Sequence, residues 1–359
     1  MTYALAAAGT GGHVYPALAV ADALVDAGVS VRDIVFFGGD RMEAHTVPAA
    51  GYDFVGVDIR GLRRSLSREN LTLPRTVRRA TGAVAAELTR RRVRAVGVFG
   101  GYVSVPVALA ARRVGAGVVV HEQNARPGLA NRLIAPRAAA TLAAFPQARR
   151  KLKSARIVGN PLRRELAHFS RSDLRAKALD GYGLGDDLPV LGVLGGSLGA
   201  LVLNETTSRL AAAARPGSFA IVHLTGAAHI DDIAPLADEV AVPWVTRAFE
   251  PAMEMFYAAA DLVLARAGAL TVSELMATGT PSVLVPLAAT HQGDNAALLV
   301  AAGGAEVVSQ EHIAEVPARV ERLLGDGDRL GEMAEAASRL APEGAADEMA
   351  AVLQEVAGG

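Results

Sequence analysis

Gly9-Thr10-Gly11-Gly12-His13 lies between the apolar run Tyr3-Ala4-Leu5-Ala6-Ala7-Ala8 and a helix-like run over residues 14–25. Three glycines in four positions let the backbone turn sharply and let a ligand come close, because no Cβ stands in the way. The loop amides and the positive end of the following helix then face whatever sits above the strand, which favours a diphosphate. An ordinary strand-to-helix turn has the same composition, so the loop alone does not decide between the two. His13 adds a titratable group at its mouth. The pattern also occurs twice: a strand over 190–194 runs into Gly195-Gly196-Ser197-Leu198-Gly199-Ala200 and then a helix over 201–213. Two strand–glycine loop–helix openings in one chain imply two doubly wound α/β units with parallel sheets.

The bulk properties agree. A chain of 359 residues is long for one core, and two domains of about 150–200 residues are the natural expectation. Apolar residues make up 51%, enough for two buried sheets. A formal net charge of −1 argues against nucleic acid as a general partner. The absence of cysteine removes disulfides, thiolate catalysis and Cys-ligated zinc, and fits a reducing compartment. No basic region followed by an apolar core opens the chain. The uncharged stretches 95–111 and 275–293 are broken by Gly97, Gly100, Gly101 and Pro106, and by Gly279, Pro281 and Pro286. Each reads as a buried strand joined to a helix rather than as a membrane span, and the chain reads as soluble.

Outward from the first loop, short apolar runs repeatedly hand over to polar or glycine residues. Strands are expected over 31–37, 95–99, 118–120 and 157–158, ending in Gly38-Gly39-Asp40, Gly100-Gly101-Tyr102, His121-Glu122-Gln123-Asn124 and Gly159-Asn160-Pro161-Leu162-Arg163. In the second half, strands over 220–225, 244–246, 261–264 and 282–286 lead to Gly226, Phe249-Glu250, the run Arg266 to Glu274, and His291-Gln292-Gly293-Asp294-Asn295; residues 314–356 read as helical. Ligands of parallel sheets bind beyond the carboxyl ends of the strands, so these motifs should converge. The nicotinamide-dinucleotide fingerprint fails, because Val14 stands where its third glycine is needed for helix packing. Residues 171–187 are polar and glycine-rich and look like the start of the second domain.

One segment is strongly biased. Residues 60–94 hold eleven arginines (Arg60, Arg63, Arg64, Arg68, Arg75, Arg78, Arg79, Arg90, Arg91, Arg92, Arg94) against Glu69 and Glu87. A solvated helix face explains this, and so does a cationic surface for anionic lipid headgroups or a phosphorylated substrate.

Individual residues carry two readings each. Glu274, about one turn into its helix, suits a ribose diol, and equally a carboxylate stabilising a helix dipole. Ser197 and its amides form a second anion site. Arg163 can neutralise a leaving diphosphate or be a surface charge. His13 has the ordinary pKa of a general base, and can also merely cap or pack. No His-Glu-x-x-His spacing appears. Gly195-Gly196-Ser197-Leu198-Gly199 formally matches a nucleophile elbow, for which His291 and His312 are the late histidines a hydrolase would use.

Taken in order, these motifs, with Gly268-Ala269-Leu270-Thr271-Val272-Ser273-Glu274 and Gln292…Asn295-Ala296, resemble the MurG family, the peripheral membrane glycosyltransferases that make lipid II for bacterial peptidoglycan. The resemblance runs from residue 3 to about residue 310. It implies an α/β glycosyltransferase-B fold of two Rossmann-like parallel-sheet domains facing a cleft. Residues 1–160 would be the acceptor and membrane-facing domain, joined by a C-terminal helix at about 342–359, and residues 161–341 the UDP-sugar domain. It implies inverting, metal-independent transfer of N-acetylglucosamine from UDP-N-acetylglucosamine to the C4 hydroxyl of the muramyl sugar of lipid I, with no cofactor. The place implied is the cytoplasmic face of the membrane, with anionic lipid meeting the arginine segment. Carried over residue by residue, His13 is the base, and Glu122 is grouped with it as catalytic. Tyr102 and His121 lie on the acceptor side. Thr10, Gly11, Gly12 and Asn124 meet the donor sugar, as does Gln292 with His291. Arg163 and Ser197 lie near the phosphates. The Glu250 backbone and Gly268, Ala269, Leu270, Thr271, Val272 and Ser273 hold uracil and phosphates, and Glu274 holds the ribose. Ala8, Leu198 and Glu250 depart from the residues usual in the family (glycine, glutamine and an aliphatic side chain). The resemblance also moves the first loop from nucleotide pocket to half of a catalytic site.

Three other readings stay open at this point. A transferase to another lipid acceptor such as diacylglycerol would share the donor half but depart from His121-Glu122-Gln123-Asn124. A sugar-nucleotide epimerase would carry several carboxylates and histidines at the cleft. A non-catalytic UDP-sugar-binding protein would need only the nucleotide loops.

Overall fold

Thirteen strands, all paired in parallel, build two separate sheets in the computed structural model, which describes residues 1–59, 73–196, 199–288 and 290–359. The chain divides into two compact units, Met1–Arg163 with Glu343–Gly359, and Arg164–Pro342.

The first unit contains β1 (Thr2–Ala6), α1 (Gly11–Asp26), β2 (Ile34–Gly38), α2 (Glu43–Ala49), β3 (Asp53–Gly56), α3 (Leu73–Arg91) and β4 (Val93–Val98). It continues with α4 (Ser104–Arg113), β5 (Gly117–Glu122), α5 (Leu129–Ile134), β6 (Ala140–Ala143) and β7 (Arg156–Ile157). Its sheet order is β3-β2-β1-β4-β5-β6-β7. The strand order reverses between β1 and β4, where Leu5 pairs with Phe36 on one side and Gly97 on the other. Both sheet faces are covered, so β1 is buried and largely apolar from Tyr3 onward. Tyr3, Leu5 and Ala7 belong to the core beneath α1, while Ala4, Ala6 and Ala8 belong to the core that includes Val84, Leu88 and Val107 of α3 and α4.

The second unit runs α6 (Arg164–Ala167), α7 (Arg171–Tyr182), β8 (Val190–Leu194), α8 (Leu201–Ala213), β9 (Ala220–Leu224), α9 (Ile230–Ala237) and β10 (Trp244–Arg247). Then come α10 (Met253–Ala259), β11 (Leu262–Ala265), α11 (Ala269–Thr278), β12 (Ser282–Leu284), α12 (Gln292–Ala302), β13 (Ala305–Val307), α13 (Val316–Leu324) and α14 (Gly327–Ser338). Its sheet order is β10-β9-β8-β11-β12-β13, with the reversal between β8 and β11. The chain then returns to the first unit as α15 (Ala345–Gly358), whose Met349, Ala350 and Leu353 join the core around α1.

Several expected boundaries shift. The first helix starts at Gly11, not after the histidine, so His13 stands in its first turn. Val31–Asp33 is a 3-10 turn and the strand begins at Ile34. The stretch 314–356, expected to be helical, comprises the three helices α13, α14 and α15 and begins in a 3-10 turn at Gln310–Glu315. The polar stretch after residue 170 is α7, which buries Ala178, Leu179 and Tyr182. Strands β3, β6 and β13 were not anticipated; each is three or four residues long, too short to show a period.

Candidate functional site

In each unit the candidate residues gather at the carboxyl ends of the strands beside the reversal of strand order, where doubly wound sheets bind ligands. In the first unit the chain leaves β1, turns at Gly9 and enters α1, where His13 and Val14 donate their amides to the Thr10 carbonyl at 3.0 and 3.2 Å. The amides of Gly11 and Gly12 precede the first intrahelical bonds and point out of the helix end. Proline at position 16 cannot donate to the Gly12 carbonyl, which leaves that oxygen outside the helical ladder. His13 is half-buried, with Nδ1 3.3 Å from Thr10 Oγ1. Burial pulls its pKa below the ordinary value, partly countered by a hydrogen bond to Ala8 and the charge of Glu43. The ring is therefore neutral at pH 7 and able to take up a proton.

The loop after β4 closes on this histidine. Gly100 and Gly101 both have positive φ (+88° and +80°), and a methyl group would stand 3.2 Å from His13 Nε2 at the first and 2.7 Å from the Ala8 carbonyl oxygen at the second. Only glycine allows two loops to touch backbone to backbone here. Glu43, not singled out in the sequence, is fully buried and braces the same place: its two oxygens accept from Gly9 N at 3.2 Å and Gly39 N at 3.0 Å. Tyr102 is half-buried over Gly39, and burial together with Glu43 and Asp40 raises its pKa.

Two expected roles change at the end of β5. His121 lies in the interior rather than on an acceptor-facing surface. Its Nε2 donates to the Gly159 carbonyl at 2.9 Å, so Nδ1 accepts from Gln123 Nε2 at 3.2 Å, and burial lowers its pKa to about 4. Glu122 is 1% exposed and accepts from Asn124 N, Asn124 Nδ2, Gly128 N and Asn131 Nδ2 at 2.9, 3.1, 3.0 and 2.9 Å. Four donors occupy both oxygens, which gives Glu122 the work of folding the 123–131 loop and holding Asn124 rather than transferring a proton. Arg163 places its guanidinium 5.2 Å from the ring centre of Tyr15 on α1.

The second unit repeats the design without a histidine in the loop. Gly195, Gly196, Gly199 and Ala200 follow β8; Ser197 lies outside the described residues. At Gly199 (φ +75°) a methyl group would meet the Thr225 carbonyl oxygen at 2.2 Å, so the loop lies against the end of β9. Across the strand reversal stands Arg266, at the end of β11 and 9% exposed. Its Nη1 donates to the carbonyls of Val285 and Pro286 at 3.1 and 3.3 Å, and among the described residues no carboxylate pairs with it. Burial pulls its pKa down, the signature of a cation that an anion would relieve. Gly195, Gly199, Glu205, Arg266, Gln292 and Gln310 line one cavity of about 450 Å³. In the sequence Arg266 heads the run to Glu274 but takes no role, because a single arginine between two alanines carries no pattern.

The run opening α11 splits. Gly268, Leu270 and Thr271 keep accessible surface, whereas Val272 and Ser273 turn into the core at 0% and 1% exposure. Ala269 is likewise buried. Glu274 is 8% exposed and its Oε2 accepts from the fully buried Tyr257 hydroxyl at 2.8 Å. Glu250 turns its carboxylate inward, accepting from Tyr182 Oη at 2.8 Å, from Arg247 and from Ala252 N, so that only its backbone remains for a ligand. On α12, Gln292 Oε1 accepts from Leu287 N at 2.8 Å, Asn295 Nδ2 donates to the Ala267 carbonyl at 3.2 Å, and His291 is exposed at the helix start. Among the described residues no group of three or more His, Asp or Glu side chains is placed to hold a metal ion.

Residues 3–143 match the glycosyltransferase family 28 N-terminal domain and residues 190–349 match the glycosyltransferase family 28 C-terminal domain. Two curated relatives bear the name UDP-N-acetylglucosamine–N-acetylmuramyl-(pentapeptide) pyrophosphoryl-undecaprenol N-acetylglucosamine transferase. That of Streptomyces avermitilis is 38% identical, covering 99% of this chain and 98% of its own length. That of Halorhodospira halophila is 40% identical, covering 100% and 99%. The chain belongs to the MurG family, within glycosyltransferase family 28. The crystal structure of Acinetobacter baumannii MurG superposes with a TM-score of 0.77 at 29% identity, covering 99% of this chain and 100% of that one. The glycosyltransferase-B expectation of two Rossmann-like parallel-sheet domains is met, and the chain is a MurG-family glycosyltransferase.

Proposed function

We propose that this chain transfers N-acetylglucosamine from UDP-N-acetylglucosamine to the C4 hydroxyl of the muramyl sugar of lipid I, with inversion, giving lipid II and UDP. The observation that carries the reading is His13. A neutral, half-buried imidazole stands at the strand reversal of the first unit, held by Thr10 and Glu43-braced loops, where a hydroxyl can give up its proton. His13 takes the proton from the acceptor hydroxyl, and that oxygen forms the new bond to the anomeric carbon from the face opposite the diphosphate. The bond from that carbon to the diphosphate oxygen breaks, and UDP departs with the electron pair.

The second unit supports the donor half. Amides at the start of α8 and the buried Arg266 meet the negative charge that grows on the leaving diphosphate, with Ser197 and Arg163 assigned to the same phosphates. Glu274 is assigned to the ribose, and the Glu250 backbone with the accessible Gly268, Leu270 and Thr271 to the uracil and phosphates. Gln292 and His291, with Thr10, Gly11, Gly12 and Asn124, are assigned to the donor sugar, and Tyr102 to the acceptor side. In this reading protein groups rather than a metal carry the charge. The domain roles follow, with the acceptor and the membrane assigned to the first unit and UDP-sugar to the second.

A peripheral site at the cytoplasmic face of the membrane is part of the proposal. No helix among the described residues is long and apolar enough to cross a membrane. The arginine segment contributes less charge than its count implies: Arg79 pairs with Asp58, Arg90 with Glu87, and Arg91 with Glu87 and Asp53. Arg60, Arg63, Arg64 and Arg68 lie outside the described residues. Support comes from the neighbouring helices. α4 packs on both α3 and α5, and Leu109, Leu129 and Leu133 are exposed at 43%, 59% and 59% beside exposed Arg112, Arg113 and Arg132.

A transfer assay with labelled UDP-N-acetylglucosamine tests the activity. Label should pass to a lipid I analogue and not to diacylglycerol; transfer to diacylglycerol, or to neither, would refute the assignment.

A further inference from the structure

We propose that Tyr182 and Arg247 are positioning residues for base recognition, acting through the carboxylate of Glu250. The proposal rests on the reading of the Glu250 backbone as the ligand of the uracil. Glu250 stands between β10 and α10, 3% exposed, and three donors converge on its carboxylate. Tyr182, the last residue of α7, donates from Oη to Oε2 at 2.8 Å, and Arg247 Nη1 donates to the same oxygen. The Ala252 amide donates to Oε1 at 3.0 Å, which ties the carboxylate to the residue preceding α10. Arg247 also donates from Nη2 to the Gly181 carbonyl at 2.8 Å, and its guanidinium lies 4.3 Å from the centre of the Tyr182 ring. Carboxylate, phenol and guanidinium thus form one network that fastens the turn at residue 250 to the end of α7. Burial and the bond to Glu250 raise the Tyr182 pKa, so its hydroxyl stays a donor at neutral pH.

A turn that is free before binding loses its torsional freedom when a ligand takes hold of its backbone. The network fixes the turn beforehand and does so without using that backbone. The Glu250 amide and carbonyl make no hydrogen bond to another described residue. Buried peptide groups are costly to leave unpaired, and a ligand with a complementary edge relieves them. The imide edge of uracil sets an N–H donor beside a carbonyl acceptor, which one amide and one carbonyl satisfy together. Cytosine reverses that edge, with an amino donor and a ring-nitrogen acceptor in the opposite places. A fixed peptide therefore discriminates between the two bases, whereas a turn free to rotate adapts to either. An aliphatic side chain at position 250 would hold the turn by packing alone. The buried acid needs Tyr182 and Arg247 as partners.

The test measures calorimetric Kd values of UDP and CDP for the full-length protein, Tyr182→Phe and Glu250→Gln. The ratio of the two Kd values is the readout, because unfolded protein alters the stoichiometry and not the Kd. Tyr182→Phe removes one donor and keeps the ring beside the guanidinium. Glu250→Gln puts an amino group where one oxygen accepts. The unmodified chain should bind UDP about tenfold or more tighter than CDP. Each variant should weaken UDP about fivefold and CDP far less, so that the ratio falls. A second experiment locates the base: irradiation of the unmodified protein with 5-azido-UDP-N-acetylglucosamine should label the peptide that contains residues 248–252. If the label maps only to other peptides, the uracil reading fails and takes the proposal with it. If that peptide is labelled but both variants leave the ratio unchanged, the network is only a packing device. The proposal then fails while the uracil reading stands.

Discussion

His121 and His223 show how far a side chain's surroundings decide its chemistry. Both lie on interior strands of a parallel sheet with 0% exposure. His223 donates from Nε2 to Asn204 Oδ1 at 3.0 Å and stacks on Trp244. Burial lowers its pKa to about 3, and that of His121 to about 4. Unfolded, each titrates near 6.5, so below that pH the unfolded chain binds protons that the fold refuses. Their contribution is complete above about pH 6.5 and is lost as pH falls toward 4, at roughly 1.4 kcal/mol per pH unit for each group. Denaturant titrations at pH 7, 6 and 5 should show stability falling across that window, with His223→Gln flattening the slope; a flat profile for the unmodified chain would contradict the account. His13, the third perturbed histidine, differs in keeping solvent access. In the sequence all three sit beside apolar or glycine runs and look alike, because exposure is set by which helix covers each strand end.

At the scale of elements, the sequence was most informative where both neighbours constrain a segment. β8 and α8 match the expected 190–194 and 201–213, since a fully buried strand, a glycine loop and a helix follow in unbroken order. The edge elements were hidden: β3 reads Asp-Phe-Val-Gly and is half exposed, and three-residue β13 leaves no alternation to detect. The split within the α11 opening was hidden as well, because a motif names residues in a row while a helix turns every second or third one inward. The arginine segment was visible as composition, but Asp53 and Asp58, which take up two of its charges, come from β3 and the residues just after it. The proposed membrane contact therefore rests on exposed leucines of α4 and α5 beside arginines rather than on arginines alone. Co-sedimentation with anionic vesicles should weaken as salt rises and weaken further in Leu129→Ser/Leu133→Ser. Equal binding to neutral vesicles at every salt concentration would exclude the arginines from it.

At the scale of the molecule, one architecture is used twice and charged differently. Each unit has a strand, a glycine loop and a helix beside the reversal of its strand order. In the first unit the motif carries a neutral imidazole, and in the second a buried guanidinium after β11 and a carboxylate on α11 stand across the strand reversal from it. Twofold repetition was legible from the two glycine loops. The proposed division of labour was not legible, because Glu43, Arg266 and Tyr257 come from other segments and become neighbours of the motifs only on folding. The account predicts that chemistry and nucleotide binding separate along this division. The most direct test is to measure both in His13→Ala: calorimetric binding of UDP-N-acetylglucosamine, and transfer to a lipid I analogue. Binding should stay within a few-fold of the unmodified chain while transfer drops by about 100-fold or more. Undiminished transfer would remove His13 as the base, and an equal loss of binding and transfer would contradict the division between the units.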